Sequence, residues 1–531
     1  MESTAFALFI LALVVGAICH YRKINPALPL IATGLAFDFL IPKVISELPD
    51  PEFILTLVLA PLVFAAALAS SALDLRRIRR SVLLLAVVLV VITTAVVGVV
   101  ASLTLAALTF ASACALGAIL APTDAVAASA VASKIGLPSR VQLVIEGESL
   151  ANDGTALTIL RVATVAAVAG SVTLMQGAQI LLLAVVGGVV VGAVGGWFVS
   201  LLIRIAKEPI VGNAILLLTP FVLYHLSEEL GGSGLLTVVI AGVWIAHTTS
   251  VRGNFQLRLQ SDSVWKLITF ILESFAFVLV GAEFLDTYSR VGEPGWVRLL
   301  VLAVGLTLLI TLVRFGFMGI WFLIGPKVSP EKFADRRLAA KEFIEIGLLG
   351  VRGPISVSAA FSIPVTTDSG EGFPGRDLIL CVTFAVVIVS LLFSFLGTPL
   401  IRRLNLTSHT DDEALAAARL ASARAALRRF DEVVAQADAD GNPLDPELVE
   451  ELRSPTARRV VALKGKSDET HQNAAGYLLT RERIRLSMIE AEREELADLR
   501  SSKRIPGDVF GQLTTELDMR EQAIHTTNRG H

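Results

Sequence analysis

Apolar stretches of about twenty residues recur along this chain from Thr4 to Leu400, separated by short polar breaks. A stretch of that length is what a helix needs to cross the hydrocarbon core of a bilayer. Of the 531 residues 54% are hydrophobic and 18% charged, more apolar surface than a soluble chain of this size hides from water. The expected fold class is an all-α polytopic membrane protein, with the lipid bilayer as its main solvent. After Arg402 the character changes. From there to His531 the chain is rich in Arg, Glu, Asp and Ala, without a segment long and apolar enough to cross. Residues 1–401 are read as a transmembrane domain and 402–531 as an α-helical region in water.

Counting apolar runs between polar breaks gives about thirteen spans. They lie near 4–19, 25–41, 52–71, 82–108, 111–132, 142–169, 177–204, 210–227, 232–249, 264–286, 297–324, 343–364 and 377–400. Arg22 and Lys23, the cluster Arg76, Arg77, Arg79 and Arg80, then Lys134 and Arg140, Arg204 and Lys207, Arg252 and Arg258, and Lys327, Lys332, Arg336 and Arg337 fall on one side. The other side has little beyond Lys43, Arg290 and Arg376. The positive-inside rule makes the rich side cytoplasmic, which places the N-terminus outside and the region after Arg402 inside. Met1-Glu2-Ser3-Thr4 lacks a basic segment, so Thr4 to Cys19 is expected to be a retained first helix. The net charge of −3 is a near-cancellation of 45 basic and 48 acidic residues and points to no nucleic-acid partner. Cys19, Cys114 and Cys381 lie far apart in apolar segments and suggest neither a disulfide nor a metal framework.

An ionisable group inside a bilayer is costly enough to require a partner, a water-filled cavity or a function. The fifth span holds Ala121-Pro122-Thr123-Asp124 and the sixth Gly147-Glu148-Ser149-Leu150-Ala151-Asn152-Asp153-Gly154-Thr155. Arg314 lies in the eleventh, and Gly350-Val351-Arg352-Gly353-Pro354 in the twelfth. Pro122 and Gly353-Pro354 interrupt their helices, freeing carbonyls that suit a cation and amides that suit an anion. Paired breaks in two halves of a chain point to inverted repeats with a binding site where two unwound helices cross. Plain proline kinks are the alternative.

Asp153 has Ser149 one turn before it, Asn152 beside it and the oxygens of Thr123 to draw on, which is the oxygen set a hard cation such as sodium takes. Burial disfavours the charged carboxylate and a bound cation favours it, so such a group holds either a proton or a metal ion and holds both poorly. A structural carboxylate paired with Arg314 or Arg352 is the alternative. Two arginines and three carboxylates leave one carboxylate without a strong partner. We assign the structural role to Glu148 and Asp124.

In order and spacing, Pro122-Thr123-Asp124-Ala125-Val126-Ala127, the run from Gly147 to Gly154, and Gly350-Val351-Arg352-Gly353-Pro354-Ile355-Ser356 resemble the monovalent cation/proton antiporter family, on its sodium/proton exchanger branch. Glu228-Glu229-Leu230-Gly231-Gly232-Ser233-Gly234 and Val278-Leu279-Val280-Gly281 fit the same pattern. The resemblance implies exchange of sodium for protons across the plasma membrane, with no cofactor and no enzymatic activity. It implies a homodimer in which a core domain, built around the crossed fifth and twelfth spans, moves against a dimerisation domain in an elevator-like cycle. It further implies that Asp153 binds the cation and carries the proton, beside Asn152 in an Asn-Asp pair typical of electroneutral exchange. Thr123 and Ser149 match cation-coordinating positions, and Asp124 with Arg352 and Glu148 with Arg314 match structural ion pairs.

The chain departs from that pattern in places. Many relatives carry a carboxylate after the Phe of a Pro-Leu-Leu-Phe-like motif, whereas Pro61-Leu62-Val63-Phe64 is followed here by Ala65. One expected cation ligand is missing, which leaves sodium, potassium and lithium open. The family's usual proline in the fifth-span motif is Ala125, and its Gly-Leu-Arg-Gly-Ala reads Gly-Val-Arg-Gly-Pro. Readings from other classes are an intramembrane aspartyl protease using Asp124 and Asp153 as a dyad, and an ion channel or sensor.

In the tail, Leu479, Leu486, Ile489, Leu496 and Leu499 form a stripe at helical spacing, and Asp445-Pro446 reads as a helix start. Gly441-Asn442-Pro443 and Lys464 to Asp468 read as breaks. No nucleotide-binding glycine loop or metal motif occurs, so the region is expected to pack on itself or on its dimer mate rather than to regulate. His471 is read as an ordinary surface histidine.

Overall fold

The computed structural model divides into two compact units, Met1–Ser408 and His409–His531. It describes residues 2–22, 24–41, 55–70, 78, 81–124, 139–170, 174–206, 208–252, 255–291, 295–328 and 336–403, then 424, 427–428, 430–440, 445–447, 449–450, 453, 486, 489, 492, 517, 519 and 521. In the first unit the helices are α1 (Glu2–Tyr21), α2 (Ala27–Leu40), α3 (Ala60–Ala69), α4 (Leu89–Thr104), α5 (Phe110–Leu120), α6 (Ser139–Val168) and α7 (Leu174–Ala206). They continue with α8 (Pro209–Glu229), α9 (Gly234–Arg252), α10 (Phe255–Val291), α11 (Trp296–Val328), α12 (Arg336–Leu348), α13 (Pro354–Phe361) and α14 (Arg376–Arg403). Single π-helical turns, Leu55–Leu59 and Leu84–Val88, lead into α3 and α4. Among the described residues the only strand-like pairing is one isolated bridge between Thr366 and Gly372.

Every apolar run named from the sequence contains helix, and the twelfth contains two helices because the chain leaves helix between Leu348 and Pro354. Taken singly, six helical segments of the described residues are long and apolar enough to cross a membrane: Ser81–Thr104, Met175–Ala206, Pro209–Glu229, Gln260–Val291, Trp296–Gly325 and Arg376–Ser394. Others fall short for physical reasons. α5 and the α12–α13 pair are cut by their breaks, and α6 carries Glu146, Glu148, Asp153 and Arg161. The outward faces are apolar: Leu182, Leu183, Val190 and Val194 on α7 and Val297, Val301, Leu312 and Leu323 on α11 are all exposed. Hydrocarbon accepts such a surface and water does not.

Apolar side chains gain little by leaving lipid for one another, so helices in a membrane adhere where small residues let backbones approach. Gly188, Gly192 and Gly196 form such a seam on α7 against α9, where a Cβ on Gly192 would lie 2.7 Å from the Thr237 carbonyl oxygen. α2 and α10 meet at Gly34 and Gly281, and a Cβ on either would strike the backbone of the other helix. That contact accounts for the glycine of the Val278-Leu279-Val280-Gly281 motif. Aromatic contacts fill the interior, with Phe361 of α13 against Phe384 of α14 at 5.3 Å and Phe64 of α3 against Trp265 of α10 at 5.2 Å between ring centres.

In the second unit, residues 430–439 are helical. Asp445 starts another turn as expected of an Asp-Pro pair: its carboxylate accepts from the Glu447 N–H at 2.9 Å and its carbonyl from the Val449 N–H at 3.0 Å. Asp431 pairs with Arg453 at 3.3 Å. Leu486 and Ile489 of the predicted stripe are helical, and Ile489 is buried. Leu479, Leu496, Leu499, His471, Gly441-Asn442-Pro443 and the segment Lys464 to Asp468 lie outside the described residues.

Candidate ion-binding site

α5 starts at Thr109, whose hydroxyl accepts from the Ser112 N–H at 3.2 Å, and it ends where Pro122 removes an amide. Thr123 and Asp124 follow without regular structure, as do Gly350 to Gly353 between α12 and α13. The two breaks lie against each other. The Asp124 N–H donates to the Val351 carbonyl at 2.7 Å, and Arg352 Nε donates to the Leu120 carbonyl at 3.0 Å. Each break thereby satisfies backbone groups that the other exposes, which is the condition for irregular backbone inside a membrane protein.

The geometry corrects one expected ion pair. The Arg352 guanidinium donates to the carbonyls of Leu120 and Gly350, and among the described residues it forms no ion pair with Asp124. The physical reason is the breaks themselves: they leave carbonyls that a multidentate donor satisfies. The Asp124 carboxylate instead rests against Gly353 at the start of α13, so closely that a Cβ at 353 would collide with it. The partial positive charge of a helix N-terminus favours a carboxylate there.

Glu148, Ser149, Asn152 and Asp153 of α6 and Thr123 are all buried. Ser149 Oγ donates to the Thr123 carbonyl at 2.7 Å, Asn152 Nδ2 to Thr123 Oγ1 at 2.9 Å, and Thr123 Oγ1 in turn to Glu148 Oε1 at 3.4 Å. Glu148 and Arg314 are brought together as a fork, with Nη2 donating to Oε2 at 2.7 Å and Nη1 to Oε1. The Ile346 carbonyl fixes the guanidinium from α12, accepting from Nε at 3.1 Å and Nη2 at 3.0 Å. A buried charge with its hydrogen bonds met in this way is a structural element.

On α6 two oxygens of this cluster are left over. Oδ1 of Asn152 and Oδ1 of Asp153 are buried and accept no hydrogen bond among the described residues. Buried acceptors are normally satisfied, and an exception calls for a proton, a water or an ion. The side chains that Asn152 and Ser149 add to the same buried stretch of α6 are neutral and carry oxygens, a chemistry that suits a weakly held monovalent cation better than a tightly caged one.

Ionisable residues beyond those two arginines and three carboxylates also lie within the apolar spans. Arg161, two turns beyond Asp153 on α6, pairs with Glu228 at 3.1 Å, and Glu228 accepts from the Gly234 N–H at 2.8 Å where α9 begins. Gly231, at φ +77°, makes the intervening turn that this arrangement requires. Glu345 on α12 is fully buried with neither carboxylate oxygen hydrogen-bonded among the described residues, and Glu283 on α10 is buried 3.9 Å from Arg290. Glu273 also lies inside an apolar run of α10. Each was visible as a charged letter in an apolar span. Ala125 lies outside the described residues.

Comparison with known proteins gives the site its context. The family profile described as sodium/hydrogen exchanger, transmembrane, matches residues 9–403. An uncharacterised Na+/H+ exchanger of Mycobacterium bovis is 30% identical over 524 residues, covering 96% of this chain and 94% of that protein. A sodium, potassium, lithium and rubidium/H+ antiporter of Bacillus pumilus is 30% identical over 361 residues, covering 66% of this chain and 54% of that protein. The solved structure of the sodium proton antiporter MjNhaP1 from Methanocaldococcus jannaschii shares the fold, with a TM-score of 0.59 at 21% identity over 77% of this chain and 100% of that chain. A transporter family sets aside the protease reading of Asp124 and Asp153. The chain belongs to the sodium/hydrogen exchanger family of integral membrane transporters.

Proposed function

We propose that the protein exchanges a monovalent cation, sodium first, for protons across the plasma membrane, and that Asp153 is the group the two ions occupy in turn. The observation that carries this reading is the pair of buried oxygens, Oδ1 of Asn152 and of Asp153, left without donors where two helix breaks meet. A proton satisfies the carboxylate by neutralising it; a cation satisfies both oxygens, with Thr123 and Ser149 supplying further ones. Because either ion removes the need for the other, the site gives up one as it takes the other. Sodium is cargo here, not a resident cofactor.

Asn152 is neutral, so one carboxylate binds one positive charge of either kind, which supports electroneutral exchange. The alternating lysine and arginine bias of the loops supports about thirteen spans with the N-terminus outside and residues 402–531 as a cytoplasmic region. Resemblance to the family supports a homodimer and an elevator-type alternation between a core and a dimerisation domain. Ala65 and the broad cation range named for the Bacillus pumilus relative support potassium and lithium as further substrates.

The test is a panel of cations at several pH values in proteoliposomes loaded with a pH dye. Wild type is expected to give saturable sodium-dependent proton flux, and Asp153→Asn none at any pH, while still eluting as a folded protein. Full exchange by Asp153→Asn would overturn the assignment. Cation flux with no opposite proton movement would make the protein a channel.

A further inference from the structure

Polar bonds sort the helices around α6 into two sets. α6 is tied to the α5 break and to α11 through Ser149, Asn152 and Glu148, and the two breaks are tied to each other through Asp124 and Arg352. α7, α8 and α9 are fastened among themselves. The Ser233 N–H donates to the Ala184 carbonyl at 2.9 Å, and Thr237 Oγ1 lies 2.6 Å from Ser227 Oγ and 3.1 Å from the Gly188 carbonyl oxygen. The turn between α8 and α9 sits so close on α7 that a Cβ on Gly232 would lie 2.9 Å from the backbone of Gly187 and Gly188.

α6 packs on α7 and α9. At Gly154 against Leu236 the contact is apolar. Two turns on, Arg161 crosses to the turn: its Nη1 donates to the Gly232 carbonyl and lies 3.1 Å from Glu228 Oε2, while Glu228 Oε1 accepts from the Gly234 N–H at 2.8 Å. One guanidinium thus holds the helix that carries Asp153 to a turn of the other set. Exposure decides what this pair can do. Arg314 and Glu148 are 4% and 1% exposed, so parting them strands a charge away from water. Arg161 and Glu228 are 32% and 33% exposed, so water replaces each partner as the pair opens. The first is a fixed joint; the second can open and form again.

The loop charges turn the C-terminal ends of α6 and α8, and with them this pair, toward the outer face. We propose that Arg161 and Glu228 form a reversible latch across the boundary between α6 and the α7–α9 block, closing its outer end and favouring the state in which Asp153 is reached from the cytoplasm. The inference rests on the exchange proposed above and its alternation between two faces. A ligand's apparent affinity falls with the fraction of protein in the state that receives it. Opening the latch therefore weakens sodium binding at one face and strengthens it at the other.

Sodium-dependent proton movement in right-side-out and in everted membrane vesicles gives an apparent KM for each face and tests the latch. Arg161→Met keeps the apolar stem, and Glu228→Gln keeps an acceptor for the Gly234 N–H. Each removes one charge of the pair, and either suffices if the other fails to fold. The KM at the outer face is expected to fall and the KM at the inner face to rise, each about two- to threefold, the shift that an ion pair of this exposure can drive. The double variant is expected to match the single ones, because a latch opens only once. A packing role moves both KM values the same way or moves the maximal rate alone, and either result overturns the proposal. So do shifts that add in the double variant. If wild type exchanges no cation for protons, the functional reading fails and the inference fails with it. If wild type exchanges and the variants keep both KM values, the inference alone fails.

Discussion

Glu148 and Asp153 stand little more than one turn apart on α6, both buried, and the protein surrounds them in opposite ways. Glu148 receives a two-pronged guanidinium from Arg314, itself held by the Ile346 carbonyl, and the Thr123 hydroxyl besides. Asp153 keeps an oxygen with no donor among the described residues. The same chemical group is given fixed hydrogen-bond partners in one place and left with an unsatisfied oxygen in the other. Removing ions from water is costly for both, but the cost is offset at Glu148 by fixed partners and at Asp153 only by whatever binds there. That difference is what the proposed exchange asks for, since a carboxylate that exchanges ligands cannot hold a permanent one.

The sharpest way to break this comparison is Arg314→Ala. It strands Glu148 as a buried unpaired charge, and loss of one partner of such a pair costs about 3–5 kcal/mol. Thermal unfolding in detergent should show a large fall in midpoint. Arg314→Met combined with Glu148→Gln should recover much of it, since no charge is then left alone. Asp153→Asn, which removes a charge that has no fixed partner, is expected to unfold at or above the wild-type midpoint although it transports nothing. A stable Arg314→Ala, or an unstable Asp153→Asn, would erase the distinction between the two carboxylates.

A smaller effect is expected from Gly353→Ala. The added methyl would occupy the place of the Asp124 carboxylate, so the two breaks have to separate. Overpacking of this kind costs about 1–3 kcal/mol. Exchange is expected to fall further than stability does, because the Asp124 N–H bond to Val351 joins the breaks next to Thr123, a member of the proposed ion site. Flux equal to wild type in this variant would mean that the junction of the breaks has no part in the cycle.

Much of the fold was legible because lipid imposes a simple rule: long apolar runs become helices, and each run named from the sequence holds one. The breaks were legible too, since Pro122 and Pro354 remove amides whatever surrounds them. The partner of Asp124 was not. Helix breaks create backbone carbonyls and a helix start, and a count of charged letters assigns Arg352 to a carboxylate when the unwound backbone claims it first. The same count passed over Arg161, Glu273 and Glu345, which carry no motif around them. Small residues that set helix spacing, such as Gly192 and Gly281, show their purpose only once the facing backbone is known.

Thr123→Val is the mildest perturbation and the one that probes the link between the two carboxylates. The Thr123 hydroxyl accepts from Asn152 Nδ2 and donates toward Glu148, so it ties the fixed end of α6 to the exchangeable end. Valine keeps the shape and removes both bonds. Asn152 Nδ2 is then a buried donor with its partner gone, at a cost of about 1 kcal/mol in stability. The larger consequence is for Asn152 Oδ1, whose direction is set by that anchored amide. With the amide free to turn, the oxygen is no longer held in one direction, and under the proposed function the cation loses a ligand that the proton does not use. Apparent KM for sodium should therefore rise several-fold in proteoliposome flux at fixed pH, while Thr123→Ser, which restores the hydroxyl, should return it close to wild type. If Thr123→Val and Thr123→Ser share the wild-type KM, Asn152 is not a cation ligand, and Asp153 alone distinguishes the exchangeable end of α6 from the fixed one.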